Sequence, residues 1–144
     1  MKLLISACLL GVKCRYDGCA KPNPAVLALA KEHTLIPVCP EQLGGLATPR
    51  PPAERTGSRV VTEAGTDVTR QYQRGAEQTL LLAQLTGCRY AILKAKSPSC
   101  GKGTIYDGSF TRTLCAGNGV ASELLSAQQI TVLTEEELDL LPRE

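Results

Sequence analysis

Short apolar runs separated by stretches of helical periodicity leave this chain few architectures to adopt. The runs fall at residues 3–7, 34–38, 90–95 and 130–133, and each has the length and apolar density of a buried strand. Between them, 24–33, 67–85 and 119–128 carry apolar side chains at helical spacing; Val68, Tyr72, Ala76, Leu80 and Ala83 mark the longest. Asn23 and Pro24 have the chemistry of a helix start, and Gly87 closes the long helix as a C′ glycine. Strands alternating with helices are the pattern of βαβ units. The sequence therefore predicts an α/β fold: a single Rossmann-like domain over residues 1–144, its mainly parallel sheet flanked by helices. A short strand is expected at 59–62 and an irregular Pro- and Gly-rich loop at 44–57. A terminal helical turn should open at the capping box Thr134-Glu135-Glu136-Glu137.

The 144 residues suffice for one hydrophobic core without covalent staples. Lys and Arg number 16 against 14 Asp and Glu, and a net charge of +2 does not suit a protein that coats nucleic acid or a membrane surface. Four Tyr, one Phe and no Trp are too few rings for a base-stacking platform, so large RNA is not an expected partner. The single His excludes a metal site built on two imidazoles.

What the chain has in surplus is cysteine: Cys8, Cys14, Cys19, Cys39, Cys88, Cys100 and Cys115. Disulfide frameworks are dense and usually even-numbered, whereas these seven are dilute and odd. Residues 1–8 imitate a lipoprotein signal, but the apolar stretch between Lys2 and Ser6 is far shorter than the roughly 7–15 residues of a signal-peptide core. No run approaches the roughly 20 apolar residues of a membrane span. A cytoplasmic protein with reduced thiols is expected, its cysteines serving as metal ligands or reactive groups.

Parallel sheets of this kind bind ligands at the carboxyl ends of their strands. Cys8 follows the first strand, Cys39 follows the second, and Cys100 lies in the loop Ser97-Pro98-Ser99-Cys100-Gly101-Lys102-Gly103 that leaves the third. Taken singly, each is as well explained as a small buried hydrophobe; together they predict three thiols converging on one edge. A catalytic zinc uses three protein ligands and keeps a fourth position open. A [4Fe–4S] cluster normally takes four thiolates, and with three it leaves one iron open as a Lewis acid. Both choices stand on the sequence alone, although no tight C-x-x-C knuckle of a structural zinc site is present.

Two acid–base candidates flank these cysteines. Glu41 follows Cys39 by two positions and Ser99 directly precedes Cys100; a carboxylate beside a metal centre can move a proton and a hydroxyl can relay it. Glu41 equally suits the first turn of a short helix, where the dipole favours an acid. The Ser- and Gly-rich loop around Lys102 weakly resembles an anion cradle. The repeated tripeptides Tyr16-Asp17-Gly18 and Tyr106-Asp107-Gly108 read as two similar turns, and His33 as a cation at a helix end without a catalytic role.

Read together, four ordered motifs carry a resemblance. They are Ser6-Ala7-Cys8-Leu9-Leu10-Gly11 with Cys14-Arg15-Tyr16-Asp17-Gly18; Pro37-Val38-Cys39-Pro40-Glu41 with Gly44-Gly45-Leu46 and Pro49-Arg50-Pro51; Gly65-Thr66-Asp67-Val68-Thr69 with Gly75-Ala76; and 93–101 with Tyr106-Asp107-Gly108. The chain resembles the TudS-type thiouracil desulfurase family over nearly its whole length, in the short form without the C-terminal domain of larger relatives. The resemblance implies a [4Fe–4S] cluster held by Cys8, Cys39 and Cys100, with one iron open. It implies that this iron binds the thiocarbonyl sulfur of a thiolated pyrimidine base or nucleotide. Water then replaces the sulfur, turning C=S into C=O without redox change, with Glu41 activating the water and Ser99 assisting. Lys102 or Arg15 would meet a nucleotide's phosphate. Two other readings remain at this stage: a thiol-based redox or sulfur-transfer protein using Cys8 or Cys100 as nucleophile, and a non-catalytic zinc-binding module.

Overall fold

The computed structural model describes residues 1–143. Four strands, β1 (Lys2–Ser6), β2 (Thr34–Val38), β5 (Tyr90–Leu93) and β8 (Thr131–Thr134), form one parallel sheet in the order β2-β1-β5-β8. The central strands are apolar on both faces because helices cover both. Leu4, Ala91, Leu93 and Val132 pack on one side with Ala83 and Leu125; Leu3, Ile5, Ile92 and Leu133 pack on the other with Val26. Leu3, Leu4 and Ile5 are fully buried, each contributing about 1.5–3 kcal/mol by leaving water.

The helices are α1 (Pro24–Ala28), α2 (Pro40–Leu43), α3 (Thr69–Thr86) and α4 (Val120–Ala127). Asn23 caps α1 as expected, its Oδ1 accepting the N–H groups of Ala25 at 3.0 Å and Val26 at 3.1 Å. The expected helix over 24–33 stops at Ala28 and tightens into a 3₁₀ turn at Leu29–Lys31. The helix expected from 67 begins at Thr69, because Asp67 bridges to Val61 and spends its Oδ1 on the Thr69 N–H at 2.9 Å. The strand expected over 90–95 ends at Leu93 for a similar reason. Side chains take the next two ladder donors, Ser6 Oγ accepting from Lys94 N–H (2.9 Å) and a Glu135 oxygen from Ala95 N–H (2.7 Å). Residue 7, expected in the first strand, instead opens a 3₁₀ turn at Ala7–Leu10. The expected capping box forms in part: Glu137 accepts the Thr134 N–H at 3.0 Å, but the helical turn comes later, at Leu138–Leu140.

Two antiparallel hairpins complete the molecule, β3 (Ala53–Thr56) with β4 (Arg59–Thr62) and β6 (Thr104–Tyr106) with β7 (Leu114–Ala116). Only β4 was expected; β3 lies inside the segment read as a loop. Among the described residues no helix is long and apolar enough to cross a membrane.

Two close approaches of backbone fix the elements around the carboxyl edge. A Cβ on Gly75 of α3 would run into the Pro40 carbonyl oxygen, and one on Gly44 into that of Gln71, so α2 lies directly on α3. A Cβ on Gly119 would collide with the Ser99 carbonyl and stand 2.7 Å from the Cys100 nitrogen, so α4 starts hard against the loop that follows β5.

Candidate active site

The carboxyl ends of β1, β2 and β5 open into a cavity of about 650 Å³. Cys8 reaches it from the 3₁₀ turn after β1, Cys39 from the N-cap of α2, and Cys100 from the loop after β5. The convergence expected from strand ends is what the fold produces. A fourth cysteine, Cys14, joins them: it is buried, its carbonyl oxygen lies 3.7 Å from Cys39 Sγ, and its thiol is near enough to those of Cys39 and Cys8 to be shifted by both. Cys88 lies in the core, its sulfur 3.2 Å from Thr86 Oγ1, and Cys19 and Cys115 are exposed.

The loop bearing Cys100 is held from every side. Ser97 Oγ accepts the Cys100 N–H at 2.7 Å, and Ser6 Oγ donates to Cys100 Sγ at 3.3 Å. The first amides of α4 bond back to the loop, Val120 to the Pro98 carbonyl and Ala121 to that of Ser99, both at 2.9 Å. Burial pushes the Cys100 thiol up to about 11, against the opposing pull of the Ser6 and Ser99 hydroxyls. Cys39 is raised further by its Cys14 neighbour and by burial. Cys14 is lowered by Cys39 but raised more by Cys8 and burial together, and ends above its ordinary value.

Glu41, in the first turn of α2, is bonded on both oxygens. Ser99 Oγ donates to Oε2 at 2.7 Å while standing 3.6 Å from Cys100 Sγ, and Arg50 Nε donates to Oε1 at 3.0 Å. The two ion-paired side chains are only 6% and 13% exposed, for Arg50 and Glu41 respectively. Arg50 extends the network: Nη2 donates to the Cys14 carbonyl at 2.9 Å and Nη1 to Thr48 Oγ1 at 3.0 Å. The phenol of Tyr72, on α3, meets the same carboxylate; burial first and then the Glu41 charge push it well above its usual range. The expected pair Glu41 and Ser99 is thus in direct contact, and Ser99 Oγ sets this carboxylate–hydroxyl pair beside the Cys100 thiol.

Sequence reasoning missed Arg50, Tyr72, Ser6 and Cys14 as parts of this site. Arg50 stood inside the quoted Pro49-Arg50-Pro51 motif, whereas Tyr72 had only the helical spacing of a core residue. Lys102, considered for a phosphate, instead pairs with Glu137 at 3.2 Å and does not line the cavity. Arg15 does line it, 3.9 Å from Asp17 and over the Tyr16 ring. The two Tyr-Asp-Gly turns are more than similar loops, since Tyr16 and Tyr106 both face the cavity. His33 Nδ1 lies 3.2 Å from the N-terminal amine, away from this site.

The donor set tests the expected cofactor. Four cysteines from the three connections after β1, β2 and β5, and no imidazole, make a soft site, suited to iron–sulfur clusters or zinc. Among the described residues no three His, Cys, Asp or Glu side chains gather tightly enough for one metal ion, which a zinc centre requires. A cubane offers a separate iron to each thiolate, so it accepts ligands spread around a cavity, and the thiols here fit it.

A helix-flanked parallel sheet with cysteine thiols and a buried carboxylate–hydroxyl pair at its carboxyl edge has the make-up of an α/β enzyme. The chain belongs to the 2-thiouracil desulfurase family, whose sequence model matches residues 3–137. It is similar to the [4Fe-4S]-dependent thiouracil desulfidase TudS, with 48% identity and a TM-score of 0.91 over 96% of this chain and 93% of that one. It is also 40% identical, over 95% of its length and 97% of the other's, to the uncharacterized protein YbbK of Bacillus subtilis (strain 168).

Proposed function

We propose that this protein is a [4Fe–4S]-dependent desulfidase that converts thiouracil or its nucleotide to the oxo form and releases sulfide. The observation that carries this reading is the Ser99–Glu41 contact beside Cys100, at a cavity that Cys8 and Cys39 share. Cys8, Cys39 and Cys100 would hold the cluster. When bound, it supplies a soft iron without a protein thiolate, a Lewis acid matched to a thiocarbonyl sulfur. The chain's own groups handle the proton. Glu41, ion-paired to Arg50, accepts a proton from the attacking water, directly or through Ser99 Oγ, as oxygen bonds to the thiocarbonyl carbon. The C–S bond then breaks as the hydroxyl O–H bond gives way to C=O; sulfur leaves with its electron pair and takes up both water protons, one returned by Glu41 and the other from that hydroxyl, relayed through Ser99 Oγ and Glu41. One water enters and one hydrogen sulfide leaves, so no electrons are exchanged.

Lys21, Lys96 and Arg112 also line the cavity, and none pairs with a carboxylate among the described residues. These cations suit an anionic substituent such as a nucleotide phosphate, the role first considered for Lys102. The thiol-nucleophile reading, which took Cys8 or Cys100, is the weaker one at Cys100, where burial raises the thiol and the thiolate is the reactive form. All seven cysteines are free, which suits the reducing cytoplasm.

Glu41→Ala is expected to keep its cluster, seen by absorbance and iron content, while releasing sulfide from 4-thiouracil at least a hundredfold more slowly, the scale of general acid–base catalysis. Full activity in that variant overturns the acid–base role of Glu41, and full activity in protein stripped of iron overturns the desulfidase reading itself.

A further inference from the structure

Four non-glycine residues among those described have a left-handed backbone: Lys96 (φ 72), Phe110 (φ 59), Arg112 (φ 60) and Gln129 (φ 64). Three of the four, all except Gln129, line the cavity. Side chains other than Gly are strained in that region, and such strain persists only where the surroundings dictate it. For the loop between β6 and β7 the dictating group is Glu54 on β3. One oxygen of its carboxylate accepts the N–H of Gly108 at 2.9 Å and that of Phe110 at 3.1 Å. Asp107 tightens the same turn by accepting the Ser109 N–H at 2.9 Å. The fold therefore forces the only Phe of the chain into the cavity wall and out of all three apolar cores.

We infer that Phe110 is a specificity-determining residue that stacks on the pyrimidine ring of the substrate, and that Glu54 is the positioning residue that sets the Phe110 loop. The inference rests on the desulfidase reading and adds the wall that recognises the base. A flat, polarisable heterocycle is the ligand an aromatic face holds best. Stacking acts on the bound ring and not on the breaking C–S bond, so it governs affinity more than turnover.

The test uses the full, cluster-loaded protein with 4-thiouracil as substrate and uracil as competitor. Phe110→Ala is expected to raise both the KM and the uracil inhibition constant about tenfold, in the range of one lost base–aromatic stack. Its kcat should stay within about twofold, with cluster content and Tm as in the wild type. Phe110→Tyr should restore both constants, and Glu54→Ala should move them in the direction of Phe110→Ala. If Phe110→Ala fails to load its cluster, Phe110→Leu makes the same comparison with the apolar bulk kept. Unchanged constants in an active ring-less variant, or a fall confined to kcat, overturn the stacking role and leave the desulfidase reading standing. A loaded wild-type protein that neither turns over 4-thiouracil nor binds uracil overturns both.

Discussion

Arg50 carries more of the site than any other side chain outside the cysteines. Its guanidinium reaches the Glu41 carboxylate, the Cys14 carbonyl and the loop at Thr48, so it ties Glu41 to the segment that follows Cys8. With both partners nearly buried, Arg50→Met leaves a carboxylate without its counter-charge, which costs about 3–5 kcal/mol. The Tm of that variant should drop by several degrees and sulfide release should fall at least tenfold, as scanning calorimetry and a methylene-blue sulfide assay would record. An unchanged Tm would mean that Glu41 does not depend on this ion pair. At this scale the sequence was legible where adjacency carried the meaning: Glu41 beside Cys39 and Ser99 beside Cys100. It was silent where chemistry depends on segments brought together, as with Tyr72 of α3 against Glu41 of α2. A tyrosine at helical spacing has the same sequence signature whether its hydroxyl faces a carboxylate or nothing.

The elements around the site are set by contacts too close for side chains. Because α2 rests on α3 through Gly44 and Gly75, the position of Cys39 and Glu41 depends on the absence of a Cβ at residue 75. Gly75→Ala should push α2 off α3, lower the Tm and reduce iron content together. Gly87→Ala is the matched control. Its φ is +72 but nothing lies within 4 Å of the added Cβ, so it should cost about 1–2 kcal/mol of stability and leave iron content and activity alone. Equal effects of the two on iron content would contradict the packing argument. The parallel strands were readable because burial on both faces gives continuous apolar runs. The β6–β7 hairpin was not: Leu114, Cys115 and Ala116 are all exposed and carry no alternation to detect. The same hairpin holds the strained Phe110 loop, so the least legible element builds one wall of the site.

At the scale of the whole molecule, the fold turns scattered cysteines into one centre. Parallel strands end on the same side, and the loops after β1, β2 and β5 deliver Cys8, Cys39 and Cys100 there without any local metal-binding spacing. Topology explains why the βαβ pattern and the cysteine positions together pointed to a site that neither pointed to alone. It also explains why Cys14 had no visible role, since a loop residue cannot be placed by strand register. On the proposed function, these thiols hold a cubane cluster that the desulfidation requires. The most direct measurement is iron, zinc and acid-labile sulfide per chain on protein purified without oxygen. About four iron and four sulfide, the content of one cubane, is the result expected; stoichiometric zinc, or no metal even after anaerobic reconstitution with iron and sulfide, would contradict it.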